Sequence, residues 1–288
     1  VDMLVPENAT LEQIESARAR LGLDKPLPVQ YGIFIRDVLH GNFGKSYIYG
    51  KPAMDLIFER MPATLELVAV AACLVLCIAI PLGVYAGAYP KRASSKLIMS
   101  GSILGISLPS FWVGMMMIYI FAVVLRLLPA SGRGNTVMVG NVALSIFAPG
   151  GIRYVILPAI TLALTNVATM LRLTRSGILE NMRQDYIKFA RAKGVPAKSI
   201  LFGHALKNAL IPVVTIFGMD LGNMIAFTTI TETIFAWPGM GKLLIDAINK
   251  SDRPIIVAYL MAAACMFVVL NFIVDILYTL IDPRIELR

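Results

Sequence analysis

Asp185 to Pro212 reads DYIKFARAKGVPAKSILFGHALKNALIP. It carries Lys188, Arg191, Lys193, Lys198 and Lys207 against one acid, Asp185. Apolar runs long enough to cross a membrane lie on both sides of it. Gly194 is suited to end a helix in the left-handed conformation, and Pro196 to the first turn of the next. The spacing therefore predicts helix, tight turn, helix. Ala197, Ile200, Leu201 and His204 recur at i, i+3, i+4, i+7 and predict one helix face. A short, basic, amphipathic helix pair between two spans is either a docking surface on the cytoplasmic side or a basic loop that only sets topology.

Outward from this stretch the chain is apolar. Of 288 residues 57% are hydrophobic and 15% charged, against roughly half and a quarter in soluble domains. Apolar runs fall at about 62–88, 97–125, 155–174, 210–231 and 256–281. Each has the ~20 residues that cross a hydrocarbon core. Pro81, Pro109, Pro158 and Pro212 lie in or beside them, as membrane helices tolerate. The expected fold is an all-α membrane protein of five spans. Residues 1–61 read as water-soluble, with a capping box of Thr10 and Gln13 opening a helix through Arg20 and a second helix from Pro28 to His40.

Lys and Arg set the orientation. The loops 89–96 and 175–209 and the tail 282–288 hold twelve basic residues against four acids. The loops 1–61, 126–154 and 232–255 hold thirteen against eleven over about twice the length. The first set is expected inside, so that the C-terminus is cytoplasmic and residues 1–61 are extracytoplasmic. The net charge of +8 thus speaks to topology and anionic lipid headgroups, with no nucleic acid implied.

Catalytic parts do not emerge. Gly41 to Ser46 (GNFGKS) fails as a phosphate-binding loop because Leu39 stands where the first Gly belongs. It reads as a turn after a surface helix. There is no His-Glu-x-x-His or Gly-x-Ser-x-Gly, and the two His, His40 and His204, are predicted on opposite sides. No metal site is expected. Cys73 and Cys77 read as small buried hydrophobes.

Charge inside the spans is the other signal. Glu66 lies near the outer end of its helix, within reach of headgroups. Asp275 is expected to pair with a basic residue from a neighbouring loop, and Arg172 to snorkel. Asp220 is deepest, flanked by Gly218 and Gly222, whose Gly-x-x-x-Gly spacing favours close helix packing. It reads either as facing a water-filled path or as a packed carboxylate. Asp220, Asn223 and Glu232 are the candidates for lining a translocation path. Trp237 to Gly241 predicts a turn, and Lys242 to Asn249 an amphipathic helix on the membrane surface with Trp237 as its interface anchor.

The opening stretch resembles the cytoplasmic coupling loop of ABC-importer permeases, whose general form is Glu-Ala-Ala, three residues, Gly, nine residues, Ile-x-Leu-Pro. Gly194 takes the Gly position, Ala190 the second Ala, His204 the Ile and Leu206 the Leu. Lys188, Phe189 and Lys207 depart from it. The version ARAKG followed by HALKNALIP is similar to the dipeptide and oligopeptide branch, as are Thr231 to Ile248 (TETIFAWPGMGKLLIDAI) and Asp275 to Ile285 (DILYTLIDPRI).

The resemblance implies a type I ABC importer transmembrane fold over 62–281, with 175–209 as coupling loop, in a bacterial inner membrane. It implies that Ala190, Arg191, Ala192, Lys193, Gly194, His204, Leu206, Lys207 and Asn208 meet an ATPase subunit. The implied partners are a second homologous permease, two ABC ATPase subunits holding ATP and Mg, and an extracytoplasmic solute-binding protein. No cofactor is implied on this chain. Relatives of this kind begin with one more span, so six are expected in the intact protein. Nickel complexes, glutathione or another small solute are alternative cargoes. An ion-driven transporter would bring an inverted repeat and paired intramembrane charges, which the sequence does not display.

Overall fold

A computed structural model describes residues 24–281, without the side chains of Asp275 and residues 277–281. The helix read from Thr10 to Arg20, the tail 282–288 and the partner of Asp275 lie outside the described residues. The chain forms two compact units, Val1–Arg60 with Leu243–Ala262, and Met61–Lys242 with Ala263–Arg288.

In the larger unit the fold is built on a stripe of small residues. Helix α2 (Ala53–Ala88) presents Leu67, Ala71, Val75 and Ala79 at four-residue intervals to Val155, Ala159, Leu162 and Met170 of α5 (Ile152–Asn181). Gly83 and Gly87 continue the stripe. A Cβ on Gly83 would stand 2.6 Å from Thr174 Cβ, and one on Gly87 2.7 Å from Ile178 Cβ. Only glycine lets the two backbones approach this closely. Helix α7 (Ala197–Ile234) closes the same core with Val213, Met224 and Ile225. Helix α9 (Arg253–Ile281) then lies with Val274 and Phe267 against Gly218 and Gly222 of α7, the close packing that the Gly spacing predicts.

The run at 97–125 is not one straight span. Helix α3 (Ala93–Ser107) and the segment Ser110–Val124, which starts as α4 (Ser110–Met117) and ends in a wider π turn (Ile118–Val124), meet at 105°. Pro109 is the cause. It has no N–H for the helix ladder, and it drives Leu108 into extended conformation, φ −89° and ψ 130°. Pro62, Pro81, Pro158 and Pro212 are absorbed within helices. Among the described residues four helices are long and apolar enough to cross a membrane, five when the bent pair counts as one.

The segment after Val124 carries more structure than a loop. Strands β1 (Val137–Val139) and β2 (Val142–Leu144) pair antiparallel with Val139 opposite Val142. The 175–209 region is likewise mostly helix. Helix α5 runs on to Asn181, α6 covers Asp185–Ala192, and α7 begins at Ala197.

The smaller unit contains α1 (Leu27–Leu39), which ends at Gly41 with φ +76°. The following segment holds a turn pinned by Asp252, a fully buried carboxylate. Asp252 accepts from Ser46 Oγ at 2.5 Å and from the backbone N–H of Tyr47 at 3.2 Å. Ser46 to Tyr49 is thus a structural turn, and Gly41 to Ser46 leads from α1 into it.

Candidate functional site

The basic segment Asp185–Pro212 opens with α6, a helix seated on the ends of three others. Ile187 of α6 is fully buried among Val84, Ile178, Ile200, Ala205 and Ala209. The rest of α6 is largely open: Phe189, Arg191 and Ala192 are exposed and Ala190 is half-buried. Lys188 pairs with Asp185 at 2.8 Å, and this bond and charge hold the Asp185 carboxyl below its ordinary value. Lys193 lies over the Phe189 ring at 4.5 Å. Gly194 turns the chain with φ +78°, a conformation that costs a side-chain-bearing residue about 1–2 kcal/mol.

Two local expectations are corrected here. Pro196 caps α7 from outside, with ψ 142°, instead of entering its first turn. The face Ala197, Ile200, Leu201, His204 does not form, because Ile200–Ala205 is a π turn, wider than an α-helical one. The buried set becomes Ile200, Ala205 and Ala209, and His204 is exposed. Leu206 is half-buried against the Ile187 cluster, while Lys207 and Asn208 are exposed. Asn208 Nδ2 donates to Tyr186 Oη at 3.0 Å, and that hydroxyl donates to Asn181 Oδ1 at 2.7 Å. Tyr186 ties α6 to both α5 and α7. Nothing in its spacing announced this role.

A second site is a cavity of about 320 Å³ between α5 and α7, reached also by Ser110 of α4. Asp220 and Asn223 line it from α7, together with Phe227 and Thr231. Thr161, Thr165, Asn166 and Thr169 face them from α5. Asp220 is half-buried and accepts a hydrogen bond from Asn223.

Glu232 is not part of that wall. It is fully buried, accepting from Thr64 Oγ1 at 2.6 Å and from the Lys242 N–H at 2.9 Å. Trp237 is also fully buried, its Nε1 donating to Ala63 O at 2.8 Å, so it is a core residue and not an interface anchor. Helix α8 (Met240–Asn249) forms where the amphipathic pattern places it, with Leu243 and Ala247 buried. Glu66 is corrected too: it is buried and gripped by Arg133, turned inward instead of toward headgroups. Cys73 and Cys77 are exposed rather than buried, their sulfurs 3.9 Å apart.

Long apolar helices, a polar cavity between them and a basic helix–turn–helix exposed at one end define a multi-pass membrane protein of the transport class. Residues 79–287 match the family described as binding-protein-dependent transport system inner membrane component, and the chain belongs to it. As a member it works with ATPase and solute-binding partners. The chain is 37% identical over 296 residues to the probable D,D-dipeptide transport system permease protein DdpB of Escherichia coli, covering 98% of this chain and 87% of that protein. It is 40% identical over 268 residues to the oligopeptide transport system permease protein AppB of Bacillus subtilis, covering 93% and 83%. It is 38% identical over 299 residues to the di/tripeptide transport system permease protein DppB of Pseudomonas aeruginosa, covering 99% and 89%. Its fold matches a solved structure, inward-facing conformations of the MetNI methionine ABC transporter, with a TM-score of 0.61 at 16% identity over 80% of this chain and 97% of that one. The type I importer fold expected from the sequence is thereby shown, and the chain is a transport subunit without its own ATPase activity.

Proposed function

We propose that this chain is the permease subunit of an ABC importer for di- and oligopeptides, paired with a second, related permease. The observation that carries the reading is the near-full-length likeness to three permeases whose names specify dipeptide, oligopeptide or di/tripeptide transport. The Lys and Arg excess in 89–96, 175–209 and 282–288 supports a cytoplasmic C-terminus and a cytoplasmic α6. On that orientation the exposed Arg191, Ala192, Lys193, Gly194, His204, Lys207 and Asn208, with the half-buried Ala190 and Leu206, meet the ATPase.

The mechanism needs little from this chain beyond two arrangements of its helices. ATP binding closes the ATPase pair and moves α6. Ile187 is seated in side chains of α2, α5 and α7, so a push on α6 is delivered to the spans that wall the cavity. The cavity then opens to one side or the other. The test is uptake of radiolabelled dipeptide into proteoliposomes containing both permeases and both ATPases, with the binding protein on the extracytoplasmic side. ATP-dependent accumulation that requires the binding protein is expected. Accumulation driven by an ion gradient without ATP would overturn the reading.

A further inference from the structure

The cavity between α5 and α7 is biased toward negative charge: Asp220 lines it and, among the described residues, no cationic side chain does. From this bias we infer that it is a recognition site for the protonated α-amino group of a peptide in transit, with Asp220 as counter-charge. The proposal rests on the importer reading above and adds the chemistry by which the path reads its cargo.

Three side chains of the α5 wall spend a donor on their own helix. Thr161 Oγ1 donates to Leu157 O at 2.9 Å, and Thr169 Oγ1 to Thr165 O at 3.2 Å. Asn166 Nδ2 donates to Leu162 O at 3.3 Å. Each of these side chains spends an N–H or O–H on its own helix, which leaves lone pairs for anything in the cavity. Asn223 does the same by donating to Asp220. A carboxylate offers about four lone-pair sites, and one neighbour's amide leaves most of them open.

The charge is unbalanced as well. None of the ion pairs Arg36–Asp37, Lys51–Glu59, Arg133–Glu66 and Lys188–Asp185, found among the described residues, involves Asp220. A carboxylate inside a span without a counter-charge is expensive, and such residues mark substrate pathways. A carboxylate cargo group would set negative charge against Asp220 here. A group with several N–H donors and a positive charge satisfies the site, and the N-terminal ammonium of a peptide is such a group. A metal cation would ask for several hard oxygen ligands, and no group of three His, Cys, Asp or Glu suited to one is gathered among the described residues. The volume of about 320 Å³ sits at the small end of the roughly 300–1,000 Å³ common for ligand sites. That suits the leading end of a short peptide, with Phe227 and Met224 as its apolar side.

The test compares wild type, Asp220→Asn and Asp220→Glu in the assembled transporter in proteoliposomes. Two quantities are read: dipeptide moved per ATP hydrolysed, and ATP hydrolysis stimulated by loaded binding protein. Two probes are used, alanyl-alanine and lactyl-alanine, in which a hydroxyl replaces the α-amine, each normalised to its occupancy on the binding protein. Loss of one charge-assisted hydrogen bond predicts that Asp220→Asn moves about tenfold less alanyl-alanine per ATP. Stimulated hydrolysis stays, Asp220→Glu restores transport, and the preference for alanyl-alanine over lactyl-alanine collapses in the Asn variant. Unchanged transport or unchanged preference in Asp220→Asn would overturn the proposal. So would joint loss of transport and stimulated hydrolysis in both variants, which marks a structural carboxylate. Absence of ATP-dependent uptake in the wild type would instead overturn the importer reading itself.

Discussion

Arg133 grips Glu66 through two guanidinium nitrogens, Nε at 2.9 Å and Nη2 at 2.6 Å, both donating to Oε2. The other carboxylate oxygen accepts from the backbone N–H of Ser145 at 2.6 Å and of Ile146 at 2.7 Å. Arg133 Nη2 also donates to Ala143 O at 2.6 Å. One carboxylate on α2 thereby holds both ends of the hairpin segment from Gly132 to Ile146. Glu66 and Arg133 are nearly enclosed, with side chains 2% and 11% exposed.

Removing one partner leaves a buried charge unpaired. Glu66→Ala is expected to lower the stability of the purified permease by about 3–5 kcal/mol. Adding Arg133→Ala is expected to recover part of that loss. Thermal unfolding in detergent of the two single variants and the double variant measures the coupling, and strictly additive losses would contradict the buried pair.

The glycines of α7 make a packing prediction. A Cβ on Gly218 collides with Val274, and one on Gly222 comes within 2.6 Å of the Phe267 ring. Gly218→Ala is expected to cost about 1–3 kcal/mol as an overpacked site. Val274→Ala in the same chain makes room and restores most of it. Stability measurements on the pair decide the point.

Tyr186 predicts a coupling phenotype without a folding one. Tyr186→Phe removes the hydroxyl shared by Asn181 and Asn208, worth about 1 kcal/mol net. The subunits should still assemble, while peptide-stimulated ATP hydrolysis falls severalfold. Equal stimulation in wild type and variant would remove Tyr186 from the transmission path.

Asp252 supports the smaller unit. Asp252→Ala orphans the buried Ser46 O–H and the N–H of Tyr47, a loss of about 1–3 kcal/mol. Limited proteolysis should then cut between residues 41 and 52 well before it cuts the wild type, with Asp252→Asn falling in between.

Much of this architecture was legible in the chain because lipid imposes long apolar runs and Gly and Pro punctuate them. The end of α6 at Gly194, the end of α1 at Gly41 and the close approach at Gly218 and Gly222 follow from those residues alone. The bend at Leu108 was also encoded, in Pro109, but uniform apolarity on both sides hid that the run divides there. Local spacing could not anticipate the π turn at Ile200–Ala205, since apolar residues three and four apart fit an α-helical turn equally well. Glu66 with Arg133 was out of reach for another reason: the two are 67 residues apart and meet only once the hairpin folds back. Trp237 and Glu232 were misplaced by the same blindness to tertiary contacts with Ala63 and Thr64. Asp220 was visible as a costly charge, whereas the cavity around it depends on which side chains α5 and α7 bring face to face.

The most direct test of the central claim is co-purification of ATPase subunits with the full-length tagged permease in mild detergent, wild type beside Gly194→Pro. Gly194 sits at φ +78°, which proline's ring forbids, so the turn that presents α6 is lost while the spans remain. The account predicts that ABC ATPases and a second permease accompany the wild type and that the ATPases are lost from the variant. ATPases retained by Gly194→Pro at the wild-type level, or absent from the wild type under conditions that keep other ABC importers intact, would contradict it.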